Sequence, residues 1–326
     1  MSLILTEEIV GSGAWKASDF VQDDSWIYHV SDAVIIELEN ALASVKRCGL
    51  NFPNFRKEDF PIDRFRSDLR SFSEDLESGR GFLLLRGLPV ERYTEEEVRI
   101  IYYGIGLHLG EPVRQNPKGE LLGWVMNIGD LDDKNTRVYE TNAYLPYHTD
   151  PSDVVGLLSL KKAKSGGLSS LVSVSTVYNE LLAQYPEYLG IFYRPMRYAH
   201  LGEDLPSLSP IFSFHDGKLS CRYLRQYIEL GHEIMGLSLS RVEIEALDIF
   251  DSIVANKSNR IDMMLEPGDI QFANNYTILH SRSHFEDFDK ATQKRKLLRL
   301  WLKMPNARKL ASDFPGRNGF PLKGDT

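Results

Sequence analysis

The stretch Tyr144-Leu145-Pro146-Tyr147-His148-Thr149-Asp150-Pro151 decides how this chain is read. His148 and Asp150 are two residues apart, so on an extended strand their side chains leave the same face. An imidazole and a carboxylate on one face can hold two neighbouring positions on a divalent metal. A third ligand has to come from elsewhere in the chain. His280, far downstream in Asn274-Asn275-Tyr276-Thr277-Ile278-Leu279-His280-Ser281-Arg282, is the candidate. Two histidines and one carboxylate on one side of a metal leave the opposite side open. That is the usual arrangement for non-haem Fe(II), which must bind oxygen and a co-substrate together. An isolated His-x-Asp is weak by itself, because the same residues serve in turns and surface hydrogen bonds.

A second stretch strengthens the reading. In Lys296-Leu297-Leu298-Arg299-Leu300-Trp301-Leu302 a cation interrupts an apolar run with strand character. A buried guanidinium is costly unless an anion meets it. Arginine matches a carboxylate with a two-pronged fork. Arg299 follows His280 at a distance that allows a loop and a return strand. A metal-binding strand beside a carboxylate-binding strand suits a co-substrate that chelates the metal at one end and carries a carboxylate at the other. 2-Oxoglutarate is such a molecule.

His148-x-Asp150, the distal His280 and the trailing Arg299 resemble the taurine dioxygenase-like family of Fe(II)/2-oxoglutarate oxygenases, which includes clavaminate synthase-like enzymes. Gly81-Phe82-Leu83-Leu84-Leu85-Arg86-Gly87 is similar to the family's early core strand. Ser165-Gly166-Gly167-Leu168-Ser169 resembles its Gly-Gly-x-Thr/Ser segment, in which the hydroxyl helps to hold 2-oxoglutarate. Asn274-Asn275-x-x-x-x-His280 resembles the Asp-Asn-x-x-x-x-His pattern before the distal ligand. Two positions depart from the pattern: Ala273 replaces an acidic residue, and Lys296 stands where many members have a second arginine.

The resemblance implies a double-stranded β-helix (jelly roll) flanked by helices, in a single domain over residues 1–326. Residues 1–80 would be a mostly helical cover, 81–304 the jelly-roll core and 305–326 a loose tail. It implies Fe(II) on His148, Asp150 and His280, with 2-oxoglutarate and O2 as co-substrates. Arg299 and Ser169 would hold the distal carboxylate of 2-oxoglutarate. The expected reaction is hydroxylation of an unactivated C–H bond, with succinate and CO2 released. Related halogenases lack the carboxylate ligand, so Asp150 implies hydroxylation, or an outcome such as desaturation from the same oxidant, and not chlorination.

Composition is consistent with this. The chain has 326 residues, 42% hydrophobic and 26% charged, as in ordinary globular proteins. A net charge of −8 argues against nucleic acid or an anionic membrane as partner, since both want a basic face. The two cysteines, Cys48 and Cys221, do not suggest a secreted disulfide framework. The polar N-terminus has no apolar signal core, and no apolar run reaches 18 residues. A cytosolic setting and a small-molecule substrate are expected.

Along the chain, apolar stripes predict helices over 32–48 and 63–78. Residues 82–86 read as a strand. Thr94-Glu95-Glu96-Glu97 and Ser240-Arg241-Val242-Glu243 read as capping boxes opening helices to about Leu109 and Asn256. A further helix is predicted over 176–189. Strands are expected at 113–116, 124–128, 154–160, 263–265 and 270–273. Asp216-Gly217 marks a hairpin between 211–214 and 218–224. Periodicity alone supports only a mixed α and β chain with a strand-rich second half.

Arg114, Gln115, Asn142, Tyr144 and Arg222 sit near strand ends or beside the ligand motif, and are candidates to bind a small polar, amino-acid-like or carboxylated substrate. His280 and His284 are spaced like a helical zinc pair, but no glutamate follows His280 and its surroundings read as a strand. His29, His200, His215 and His232 are read as structural. Two other classes stay open on the residues alone. One is a cupin-type metal-dependent hydrolase or isomerase without 2-oxoglutarate, which has no need of Arg299. The other is a metal-free binding protein on the same fold.

Overall fold

The computed structural model describes residues 3–129, 140–200 and 203–320. Its organisation follows from one strand, Lys296–Lys303. Side chains on a strand alternate between faces. Leu298, Leu300 and Leu302 join one apolar core, while Leu297 and Trp301 join another. Both faces are therefore covered, which explains why the strand reads as a nearly continuous apolar run.

This strand belongs to a seven-stranded sheet. The order is Ile27–His29, Phe82–Arg86, Ile270–Asn274, Val154–Lys161, Lys296–Lys303 and Glu111–Pro112, with Leu122–Val125 also paired to Lys296–Lys303. Its first pair is parallel and the rest antiparallel. A four-stranded antiparallel sheet runs Arg260–Met263, Ser169–Ser173, Ile278–Arg282 and Leu145–His148. The inner faces of the two sheets share one core, which joins Phe82, Leu84, Val155, Leu297 and Trp301 to Leu171, Met263 and Ile278.

Helices cover both outer faces. Asp32–Arg47, Phe65–Ser78 and Glu95–Leu109 pack on the outside of the large sheet. Val174–Gln184 and Arg241–Ala255 pack on the outside of the small one, with the Phe212–His215/Lys218–Cys221 hairpin. The chain is thus a mixed α and β structure of two facing sheets between helices.

Local signals explain most boundaries. Thr94 and Ser240 cap their helices reciprocally with Glu97 and Glu243, as their spacing predicts. Asp216 and Gly217 both take positive φ, which closes the hairpin in a two-residue turn. The helix expected over 176–189 is instead Val174–Gln184, because Pro186 removes a donor and bars Tyr185 from helical backbone. The strands expected at 113–116 and 124–128 lie nearer the N-terminus, at Glu111–Pro112 and Leu122–Val125. The helix Arg225–Ile234 is absent from the sequence reading. It has an apolar face of its own but is only 10 residues long and has no side-chain N-cap to mark its start.

The loose tail expected at 305–326 is corrected over its described part; residues 321–326 lie outside the described residues. Phe314 and Ala311 are buried against Tyr276. Arg308 is buried too, pairing with Glu77 at 3.1 Å and donating to the Leu219 carbonyl. Phe320 stacks on Trp301 with 12° between the ring planes. The Gly, Pro and charge content that suggested looseness serves a winding path with one buried ion pair. Replacing Phe314 by alanine should cost about 3–5 kcal/mol of stability, read from urea denaturation. An unchanged midpoint would mean that the tail lies outside the cooperative core.

Candidate active site

His148 ends the Leu145–His148 strand, and Ile278–Arg282 runs antiparallel beside it with His280 directly opposite His148. Opposed residues share a face, so both imidazoles point inward. Their ring centroids are 4.3 Å apart. Asp150, in the bend after the strand, completes the group. Its oxygens lie 3.9 Å from His148 Nε2 and 3.7 Å from His280 Nε2. One ligand atom from each residue fits within 4.8 Å of the others. His148 Nδ1 donates to the Pro146 carbonyl at 2.8 Å, which leaves Nε2 bare. Two imidazoles and a carboxylate around one point fit a single divalent cation.

The surroundings aim Asp150. Trp301 Nε1 donates to its Oδ2 at 3.0 Å. The Asn275 side chain accepts from the Asp150 backbone N–H and donates to Ser152, fixing the bend. Arg299 Nη1 stands 3.8 Å from Asp150 Oδ1. Burial would raise the Asp150 carboxyl, but the Arg299 guanidinium and the two imidazoles outweigh it and hold the group well below the usual carboxylate range. Burial, then the neighbouring His280, pushes His148 down to about 4. The carboxylate is therefore charged and His148 neutral near pH 7, as metal binding requires.

A second cationic group lies along the inner faces. Ser169 stands in register with Arg282 across the Ser169–Ser173/Ile278–Arg282 ladder. Arg282 and Arg295 are both buried and flank the Phe285 ring, at 4.8 and 5.1 Å from its centroid. Arg282 Nη2 donates to the Thr141 and Ala143 carbonyls. Among the described residues, Arg282 Nε and Nη1 and Arg295 Nη1 have no hydrogen-bond partner. Burial pushes Arg282 down to about 10 and, with Arg282 beside it, Arg295 down to about 9. Gly166 and Gly167 both take positive φ, and the His284 carbonyl fills the place of a Gly166 side chain. That turn brings Gly167 against Arg295.

A cavity of about 530 Å³ opens beside the triad. His148, Asp150, Arg299, Arg222, Trp301 and Phe314 are among its walls. Of the five residues expected to line a substrate pocket, Arg222 does so. Gln115 has another role: its Oε1 accepts from Arg299 Nε at 2.8 Å, and its Nε2 donates to the Leu121 and Arg299 carbonyls. Arg114, Asn142 and Tyr144 do not border the cavity, and Tyr144 is half exposed. Ser169 Oγ donates to Gln271 at 2.9 Å and does not border the cavity that Arg299 lines. His284 is exposed beyond a strand, so the helical zinc pair does not form. His200, read as structural, borders the cavity. Arg282 and Arg295 escaped the sequence reading, although Arg282 follows His280 by two and so shares its face.

Site and fold together define a non-haem iron dioxygenase that uses 2-oxoglutarate as co-substrate. The family model for the taurine catabolism dioxygenase TauD, TfdA family matches residues 47–301. The chain belongs to that family. It is 33% identical to FR-33289 synthase of Streptomyces rubellomurinus (strain ATCC 31215), over 95% of each chain. It is 28% identical to the taurine hydroxylase-like protein SAT17 of Stachybotrys chartarum (strain CBS 109288 / IBT 7711), over 88% of this chain and 77% of that one. Among solved structures, asparagine oxygenase in complex with Fe(II), 3-hydroxyasparagine and succinate superposes with a TM-score of 0.68 at 17% identity, over 85% of this chain and 93% of that one. The non-haem iron oxygenase OrfP in complex with Fe and α-ketoglutaric acid gives 0.61 at 15%, over 85% and 94%. Family membership decides against the hydrolase and binding-protein readings.

The Trp301 indole predicts a measurable effect. Trp301→Phe keeps the ring and loses the N–H that aims Asp150. Iron should bind roughly 10–100-fold more weakly in chelator competition. Undiminished affinity would show that the indole does not orient the ligand.

Proposed function

We propose that the chain hydroxylates an unactivated C–H bond of a small polar, amino-acid-like or carboxylated molecule, on iron held by His148, Asp150 and His280. One observation carries the reading: the three ligands converge on one point, and two of them, His148 and Asp150, border a cavity that Arg299 also lines. The two facing, largely antiparallel sheets, with the ligands on inward faces, support a double-stranded β-helix as the fold. When bound, Fe(II) and 2-oxoglutarate supply O2 activation, with succinate and CO2 as co-products. The protein's share is geometric and electrostatic. Trp301 and Asn275 aim the carboxylate, Pro146 sets the His148 tautomer, and Gln115 fixes Arg299.

Two buried arginine groups compete for the distal carboxylate of 2-oxoglutarate. Arg299 is already braced by Gln115 and faces the substrate cavity. Arg295 and Arg282 are buried on the Ser169 side with open N–H groups, and such groups call for an anion. We assign the distal carboxylate to Arg295, with Ser169 and Arg282 beside it, and leave Arg299 to the substrate side. This moves the role first expected of Arg299. The amino-acid products in the asparagine oxygenase and OrfP complexes support an amino-acid-like substrate. Fe(II) and the two free thiols ask for reducing surroundings, so we place the reaction in the cytosol. Among the described residues no helix is long and apolar enough to cross a membrane.

Succinate release from 2-oxoglutarate, with Fe(II) and ascorbate, tests the activity. Wild type should release it and Asp150→Ala should not, having lost its iron; His284→Ala should keep both. Iron retained in Asp150→Ala would refute the triad. In the same assay, Arg295→Ala should raise the KM for 2-oxoglutarate by a factor of hundreds, since breaking a buried charged pair costs roughly 3–5 kcal/mol. A normal KM there, with a raised one in Arg299→Ala, would return the carboxylate to Arg299.

A further inference from the structure

The cavity holds a guanidinium that the iron chemistry does not use. Arg222 follows the Lys218–Cys221 strand and borders the same cavity as His148, Asp150 and Arg299. Its backbone is tied down on both sides: the N–H donates to the Ile211 carbonyl, and its own carbonyl accepts from the Tyr198 hydroxyl at 2.6 Å. The next residue, Tyr223, accepts from the Thr149 N–H, inside the ligand motif. The segment that carries Arg222 is thus fixed directly to the segment that carries the iron ligands.

The side chain is held on one face and one edge. Its guanidinium lies 4.4 Å from the Tyr198 ring centroid. Nη2 meets His200 Nε2 at 2.8 Å, and Ser207 Oγ meets the same nitrogen at 2.7 Å. Arginine can only donate, so that nitrogen is the acceptor and His200 is neutral. Burial, then Arg317 and Arg222, pushes His200 down to about 3, which agrees. Among the described residues, Nη1 of Arg222 is buried with no hydrogen-bond partner.

Charge points the same way. The charged walls of this cavity are Arg222, Arg299 and Arg317 against Asp150 alone. Arg317 is answered by Glu203. Asp150 is committed to the metal in the reading above. A chain of net charge −8 therefore presents a cationic cavity at its site. A buried guanidinium with an open N–H is stable with an oxyanion before it.

We propose that Arg222, seated on Tyr198 and braced by neutral His200, is an anion subsite that anchors a phosphate, sulfonate or carboxylate group of the substrate. This inference rests on the cavity being the substrate site of the iron oxygenase. The subsite fixes the substrate by its charged end, so that one C–H bond is presented to the iron. It is distinct from the Arg295 group that we assign to 2-oxoglutarate.

The test uses enzyme loaded with Fe(II) and 2-oxoglutarate under argon, titrated by calorimetry with n-butyl phosphate, butyrate, n-butanol and n-butylammonium. At least one anion should bind about tenfold or more tightly than butanol, and butylammonium should bind no better than butanol. The better of phosphate and carboxylate names the head group. Arg222→Gln should erase the preference, and Arg222→Lys should keep part of it, since an ammonium lacks the fork. The visible absorption of the iron–2-oxoglutarate complex should stay unchanged in both variants. Loss of that absorption in wild type would sink the iron reading, not this one. If Arg222→Gln alone loses it, Arg222→Lys decides, and a preference undiminished there overturns the subsite. So does a wild-type enzyme with no preference for anions, or an Arg222→Gln variant that keeps it.

Discussion

At the step of the ladder where His280 faces His148, a slip of one residue would carry both imidazoles to the far side of the sheet. The site depends on that register more than on any single bond. The Ile278–Arg282 strand is pinned from both sides, by Ser169–Ser173 and by Leu145–His148. Between the His280/His148 pair and the Arg282/Leu145 pair the ladder shifts, because the Leu145–His148 side carries one residue more. Bulges of this kind re-aim side chains next to active sites. Here the extra residue lies at Pro146–Tyr147, and the Pro146 carbonyl is the acceptor that fixes the His148 tautomer.

The second requirement is electrostatic. Arginines 282, 295 and 299 are buried and Arg222 borders the cavity, in a chain whose overall charge is negative. Removing guanidinium groups from water is expensive, and aromatic rings at 222, 282, 295 and 299 recover only part of the cost. The interior is built for anionic guests. The iron adds two further positive charges, and the dianionic 2-oxoglutarate answers part of the balance that the folded chain leaves open.

The metal site was legible because its signal is short-range and chemical. Spacing of two puts His148 and Asp150 together, and a strand around His280 supplies the third ligand. Helices with reciprocal caps and the Asp216-Gly217 turn were legible for the same reason. What sequence did not yield was assembly across distance. Gln115 reads as a polar residue near a strand end, yet its partner is Arg299 on another strand. Arg295 precedes an apolar strand and reads as an ordinary flanking charge, but the chain folds over it. The Arg225–Ile234 helix takes its place from the Arg197 backbone against Gly231, which periodicity cannot reveal. The two-sheet frame itself came by resemblance; alternation alone supported only a strand-rich half.

The segment after Met304 illustrates a different economy of design. Phe314, Pro315, Gly316 and Arg317 form part of the cavity wall, although they come after the last strand of the large sheet. The strands that face one another across the two sheets are packed on both faces and tolerate little change. Changes at 314–317 therefore reshape the cavity wall without touching the strands that carry His148, His280 and Arg299.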